Sequence, residues 1–257
     1  MRQSIKLVLL YLIIQLLVGA VVAGISVIIS SLWKVNPADC QSALLAPSLL
    51  ISIGLMCLYM YETGYLPNEK KDWSFTSLGY LLLILLMGIS TIVLVDWISS
   101  FLQMIPDWMN QTFATMQTGV LGIISIAIIG PVFEEILFRG TITRLLLDHY
   151  DPGKAILISA LFFGIFHINP AQIIPAFLIG LLFAWLYYLT RSLIPGILIH
   201  VFNNSMSVFL TLHYPNAKTL RDIPGLSGYV ILIICALLLF LLSGYLIYRR
   251  QVKADKL

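Results

Sequence analysis

Apolar runs of about 20 residues, the length a membrane crossing asks for, recur along the chain between short polar breaks. They cover 7–33, 42–61, 78–95, 119–138 extending towards Arg144, 154–167, 171–189, 193–212 and 229–248. A helix rising 1.5 Å per residue spans a hydrocarbon core of about 30 Å with such a run. Continuous runs fit helices, whereas a barrel would show alternation. The pattern predicts an all-α, polytopic membrane protein with about eight transmembrane helices.

The breaks carry their own signals. Residues 62–74 are polar and include Lys70 and Lys71; residues 96–118 hold acids and aromatics with no Lys or Arg, and Trp97 and Trp108 are expected at the headgroups. Asp96 at a span end is read as interfacial. Residues 148–153 have turn chemistry, and Arg249 and Arg250 stop the last span. Three regions are expected: 1–118 as supporting or access helices, 119–212 as a catalytic core, and 213–257 as a last span with a basic tail.

Composition agrees with this and removes other classes. With 60% hydrophobic residues, 11% charged residues and a mean hydropathy of +0.96, the chain is neither soluble nor disordered. The net charge of +3 is no sign of nucleic acid, because the basic residues sort by loop. Arg2, Lys6, Lys70, Lys71, Arg139, Arg144, Lys154, Arg191, Arg249, Arg250, Lys253 and Lys256 fall on one side, against Lys34, Lys218 and Arg221 on the other. Basic loops stay inside, so both termini are expected in the cytoplasm. The first run begins like a signal peptide but is too long for one, and reads as an uncleaved span. Three cysteines form no paired framework and no CxxC metal spacing.

Charge inside the apolar pattern is where chemistry enters. Residues 130–140 read Gly-Pro-Val-Phe-Glu-Glu-Ile-Leu-Phe-Arg-Gly, and intramembrane ionisable residues are functional by default because they are expensive. Glu135 and Arg139 stand four apart on one helical face and neutralise each other. Glu134 points about 100° away and needs partners from other spans. His167 ends one span, and His200 and Asn204 share a face of another. Counted from Arg144, Lys154 and Arg191, the three spans put Glu134, His167 and His200 roughly 14 to 20 Å deep. Pro131, Pro170 and Pro195 lie close to them and are expected to free backbone carbonyls within the spans. His149 and His213 fall in loops and read as solvated.

A lone intramembrane His or Asn is ordinarily helix-to-helix glue; Glu134, Glu135, His167, His200 and Asn204 at one depth read as a site. Such a set suits amide hydrolysis. A carboxylate in an apolar setting is a strong general base, and His and Asn donate to an oxyanion. Alternatively, His167 and His200 hold a metal that activates the water, with a Glu as third ligand or base. The contiguous His-Glu-x-x-His of common zinc proteases is absent.

The order Glu-Glu-x-x-x-Arg (Glu134, Glu135, Arg139), Phe-x-x-x-His (Phe163, His167) and His-x-x-x-Asn (His200, Asn204) resembles the CAAX protease and bacteriocin-processing family, intramembrane proteases similar to the prenyl-protein endopeptidase Rce. The segments 177–180 and 185–188 also look like it, so the resemblance covers about residues 119–210. It implies that Glu134 activates water, that His167, His200 and Asn204 shape the site and stabilise the oxyanion, and that Glu135, Arg139 and Phe163 brace it. The family is described both as metalloproteases and as glutamate-dependent proteases, so zinc or another divalent metal and a metal-free route both stay open. The implied partner is a membrane-associated protein or peptide in the bilayer, and the compact chain suggests a bacterial plasma membrane. Against this stand a non-proteolytic scaffold, immunity or regulatory protein on the same fold, and a proton-coupled transporter. The transporter lacks support because no matching broken halves occur.

Overall fold

The computed structural model describes residues 1–217 and 219–254. Lys218 and Lys256, counted in the charge balance, lie outside the described residues. Every regular element among these residues is helical, with α1 (Arg2–Trp33), α2 (Pro37–Glu62), α3 (Leu78–Ser99) and a short α4 (Asn110–Met116) first in the chain. Then follow α5 (Val120–Leu147), α6 (Pro152–Phe166), α7 (Pro170–Thr190), α8 (Ile194–His213) and α9 (Gly225–Ala254). Among the described residues, seven helices are long and apolar enough to cross a membrane. The eighth expected span is α6, which has 15 residues and so reaches only about 22 Å. This is a multi-pass integral membrane protein.

Helix starts and stops follow local chemistry. Asn36 accepts the Ala38 amide at 3.0 Å ahead of Pro37, and Lys34 and Arg191 close α1 and α7 in the left-handed region. Pro170 and Pro195 open α7 and α8 instead of freeing carbonyls within a span. A proline in the first turn lacks an N–H that the helix would not have used there. Of the three prolines singled out, only Pro131 lies in a span beyond its first turn.

The helix ends sort into two groups. The Tyr150 hydroxyl meets Met1 Sδ at 3.3 Å, Asp72 Oδ2 lies 3.9 Å from Arg144 Nη1, and Arg250 Nη1 lies 3.5 Å from Ser77 Oγ. The N terminus, residues 62–77, the α5–α6 turn and the last turns of α9 thus share one end, the basic end. At the other end Trp108 N donates to Asn169 Oδ1 at 3.0 Å, and Tyr229 donates to Asp96 Oδ2 at 2.9 Å. Buried Asn169, in the turn from α6 into α7, also donates to Asp107 Oδ1 at 2.8 Å and so ties that turn to the segment before α4.

Two apolar clusters surround α5 and α8. Phe133, Leu137, Phe138 and Ile142 of α5 pack with Leu7 and Tyr11 of α1, Met56 and Met60 of α2, and Phe163 and Phe166 of α6. Ile84 and Met87 of α3 pack with Phe183 and Leu186 of α7, Ile199 of α8 and Ile247 of α9. The charged site lies between them.

Candidate active site

α5 is not a uniform helix. Residues Ser125–Ile129 and Ile136–Thr143 are π-helical and flank the six-residue α segment Gly130–Glu135. Single-turn π segments recur at functional sites because they re-aim side chains within a continuous helix. Pro131 explains the first. The Gly130 amide bonds to the Ser125 carbonyl, five residues back, and Pro131 has no N–H to offer Ile126 in the same pattern. The freed Ile126 carbonyl accepts the Asn204 side-chain amide from α8 at 3.0 Å. Asn204 thereby joins α8 to α5, and Asn203 donates to its Oδ1 at 3.0 Å.

One helical turn on, Glu135 is fully buried and its Oε1 is shared. Arg139 Nη1 donates to it from 3.0 Å, and His200 Nδ1 donates to it from 2.9 Å. The i, i+4 ion pair expected from spacing is present; its extension to α8 was not legible in sequence. Arg139 is 1% exposed, donates to the Gly180 carbonyl of α7 at 3.3 Å, and lies 4.2 Å from the Phe163 ring and 5.0 Å from the Phe183 ring. Cation–π contact of this kind partly replaces the hydration the guanidinium loses.

Glu134 faces another way, as its 100° offset requires. Its side chain stays 22% exposed, and its Oε2 lies 3.7 Å from His200 Nε2, beyond direct hydrogen-bond range. His200 therefore stands between the two carboxylates, bonded to Glu135 and facing Glu134. Phe183 and Phe163 rings hold it at centroid distances of 5.2 and 5.8 Å.

His167 is the last residue of the α6 turn, and its Nδ1 donates to the Phe163 carbonyl at 2.7 Å. Its ring sits edge-on to Phe163 at 4.8 Å, so Phe163 is the spacer between His167 and the Arg139–Glu135–His200 cluster. With Nδ1–H committed, each histidine presents Nε2 as a lone pair when neutral and as a donor when protonated. Lone pairs of this kind suit a metal, though among the described residues no three His, Cys, Asp or Glu side chains lie together in a metal-binding group.

Two features carry no sequence signal. Tyr11 of α1, 2% exposed, packs its ring 4.9 Å from Phe133 and 5.4 Å from Phe166, the neighbours of Glu134 and His167. A tyrosine in an apolar run does not stand out by periodicity. Gly196 stands four residues before His200, and a Cβ there would come within 2.8 Å of Glu135 Oε2. Both hydrogen bonds of that carboxylate are made by Oε1 and would be strained by turning Oε2 away, so Gly196→Ala is expected to cost about 1–3 kcal/mol. Denaturant titration of the detergent-solubilised protein would measure it; an unchanged midpoint contradicts the contact.

Residues 116–206 match the family model described as type II CAAX prenyl endopeptidase Rce1-like. The chain is 34% identical over 97 residues to the putative membrane peptidase YdiL of Bacillus subtilis, covering 38% of this chain and 40% of that one. It is 26% identical over 155 residues to UPF0177 protein YxdF of Lactococcus lactis, covering 57% of this chain and 84% of the relative. CAAX prenyl protease 2 of Caenorhabditis elegans is 29% identical over 114 residues, 37% of this chain and 43% of that protein. The matches to YdiL and to the nematode protease thus span about two fifths of those relatives. No solved structure matches the chain. The stretch that carries Glu134, Glu135, Arg139, Phe163, His167, His200 and Asn204 is the one similar to the Rce1-like CAAX endopeptidase family.

Proposed function

We propose that this protein is an intramembrane endopeptidase in which Glu134 activates water against a peptide bond of a membrane-associated protein or peptide. The observation that carries the reading is the asymmetry of the adjacent carboxylates. Glu135 is fully buried and shared by Arg139 and His200, whereas Glu134 remains 22% exposed beside His200 Nε2 at 3.7 Å. A water seated beside that pair reaches both atoms. Glu134 takes its proton as the oxygen attacks the carbonyl, and the same proton is then available to the leaving amine. His200, oriented by its bond to Glu135, donates from Nε2 in its protonated form to the developing oxyanion. His167 supplies a further polar edge on the α6 side. Asn204 has committed one N–H to Ile126, so its larger part in the proposal is to fix α8 on α5.

Arg139 neutralises Glu135 and so leaves Glu134 as the accessible base. A binding scaffold has no use for a second, accessible carboxylate at this depth. A second reading, in which His167 and His200 recruit a divalent metal, draws on the two Nε2 lone pairs. Both are tested by reconstituting the purified protein with membrane-anchored peptides, prenylated and unprenylated, and following cleavage by mass spectrometry. Cleavage that survives exhaustive chelation is the expected result. Loss on chelation, restored by one divalent metal, moves the mechanism to the metal reading; no cleavage of any peptide favours the scaffold.

A further inference from the structure

The polar break between α2 and α3 lies outside residues 116–206, which match the family model, yet it is bonded across the basic end of that stretch. The Tyr65 carbonyl accepts Thr141 Oγ1 of α5 at 2.8 Å and Arg144 Nη2 at 3.5 Å. Pro67 packs on Gly140 so closely that a Cβ there would meet its ring at 2.8 Å. Asp72, fully buried in a 3-10 turn (Lys70–Trp73), accepts the Glu69 amide on Oδ2 at 3.2 Å and faces Arg144 at 3.9 Å. The Asp72 carbonyl accepts the Leu193 amide at 2.8 Å, and the Ser74 carbonyl accepts Ser192 Oγ at 2.6 Å. Residues 65–74 therefore tie the end of α5 to the first turn of α8. Glu135 lies five residues before Gly140, and Gly196, which abuts Glu135, lies three after Leu193.

We propose that this segment is a clamp that sets the separation of Glu134 and His200, with Asp72 as a positioning residue for the reaction. Resting on the peptidase reading, the proposal assigns residues 65–74 a part in turnover and none in substrate contact. A salt-bridging side chain and a bonding carbonyl from one residue reach two helices at once, so releasing Asp72 loosens α8 against α5. Misplacing a catalytic pair by about 1 Å can cost about 100-fold in rate, and kcat is where such a loss falls.

The test uses the full-length protein in nanodiscs, with Asp72→Ala, Asp72→Asn and Gly140→Ala. Gly140→Ala lifts Pro67 without altering Asp72, and Asp72→Asn keeps an acceptor for the Glu69 amide. Hydrogen exchange is read on peptides covering residues 190–200, and kcat and KM on the folded fraction. In Asp72→Ala and Gly140→Ala these amides should exchange about tenfold faster, with other spans unchanged. Their kcat should fall by about 10-fold to 100-fold with KM within about twofold, and Asp72→Asn, which keeps the acceptor but loses the charge facing Arg144, should fall between Asp72→Ala and the parent. Retained protection at 190–200 in both variants overturns the clamp. Lost protection with unchanged kcat, or with a change in KM alone, overturns the positioning role. If the parent protein cleaves nothing, the peptidase reading fails, and exchange at 190–200 still decides whether the clamp exists.

Discussion

Glu134→Gln is expected to insert and accumulate like the parent protein while cleavage falls by about 100-fold to 10,000-fold, the range a positioned general base contributes. The amide keeps the shape and an oxygen towards His200 Nε2, 3.7 Å away, and Glu134 is not a member of the Arg139–Glu135 ion pair. Folding therefore has little to lose, and proton transfer has everything. Abundance and unfolding midpoint are measured beside turnover. Full cleavage by this variant sinks the mechanism. Equal loss of abundance and activity would instead put Glu134 among the residues that hold the bundle together.

The opposite signature is expected for Glu135. Replacing it with Gln leaves Arg139, 1% exposed, without its counter-charge, and breaking a buried pair from one side costs about 3–5 kcal/mol. Arg139→Leu should cost as much, because it strands Glu135 and empties the space between the Phe163 and Phe183 rings. The double variant Glu135→Gln, Arg139→Leu removes both charges and should recover abundance beyond the sum of the singles. It should not recover cleavage, since His200 Nδ1 loses the carboxylate that orients it. Protein level and turnover across this cycle separate the two roles. Singles that accumulate like the parent would show that the pair carries no stability.

Much of the molecule is legible in the order of its residues. Membrane crossing is dictated by run length against bilayer thickness, so the apolar runs located the helices, and i, i+4 spacing located the Glu135–Arg139 pair. The order of the Glu-Glu-x-x-x-Arg, Phe-x-x-x-His and His-x-x-x-Asn segments located the stretch that matches the family model, residues 116–206. These are local properties, readable from neighbours in the chain.

The rest depended on which helix faces which. Periodicity says that Glu134 and Glu135 point apart; only packing decided that His200 would bond the one and face the other. The same holds for Asn204, whose amide goes to a carbonyl that Pro131 and the π segment free on another helix. Pro170 and Pro195 misled because a proline reads alike inside a span and at its first turn, and only the chain's reversal distinguishes them. The part of the polar break before α3 in joining α5 to α8 was not legible, because its bonds run to residues more than 70 positions away. Sequence determined the helices and their charged residues, since burial in lipid is enforced one residue at a time. Tertiary structure decided the pairings, since a buried polar group takes whatever partner the fold brings within reach.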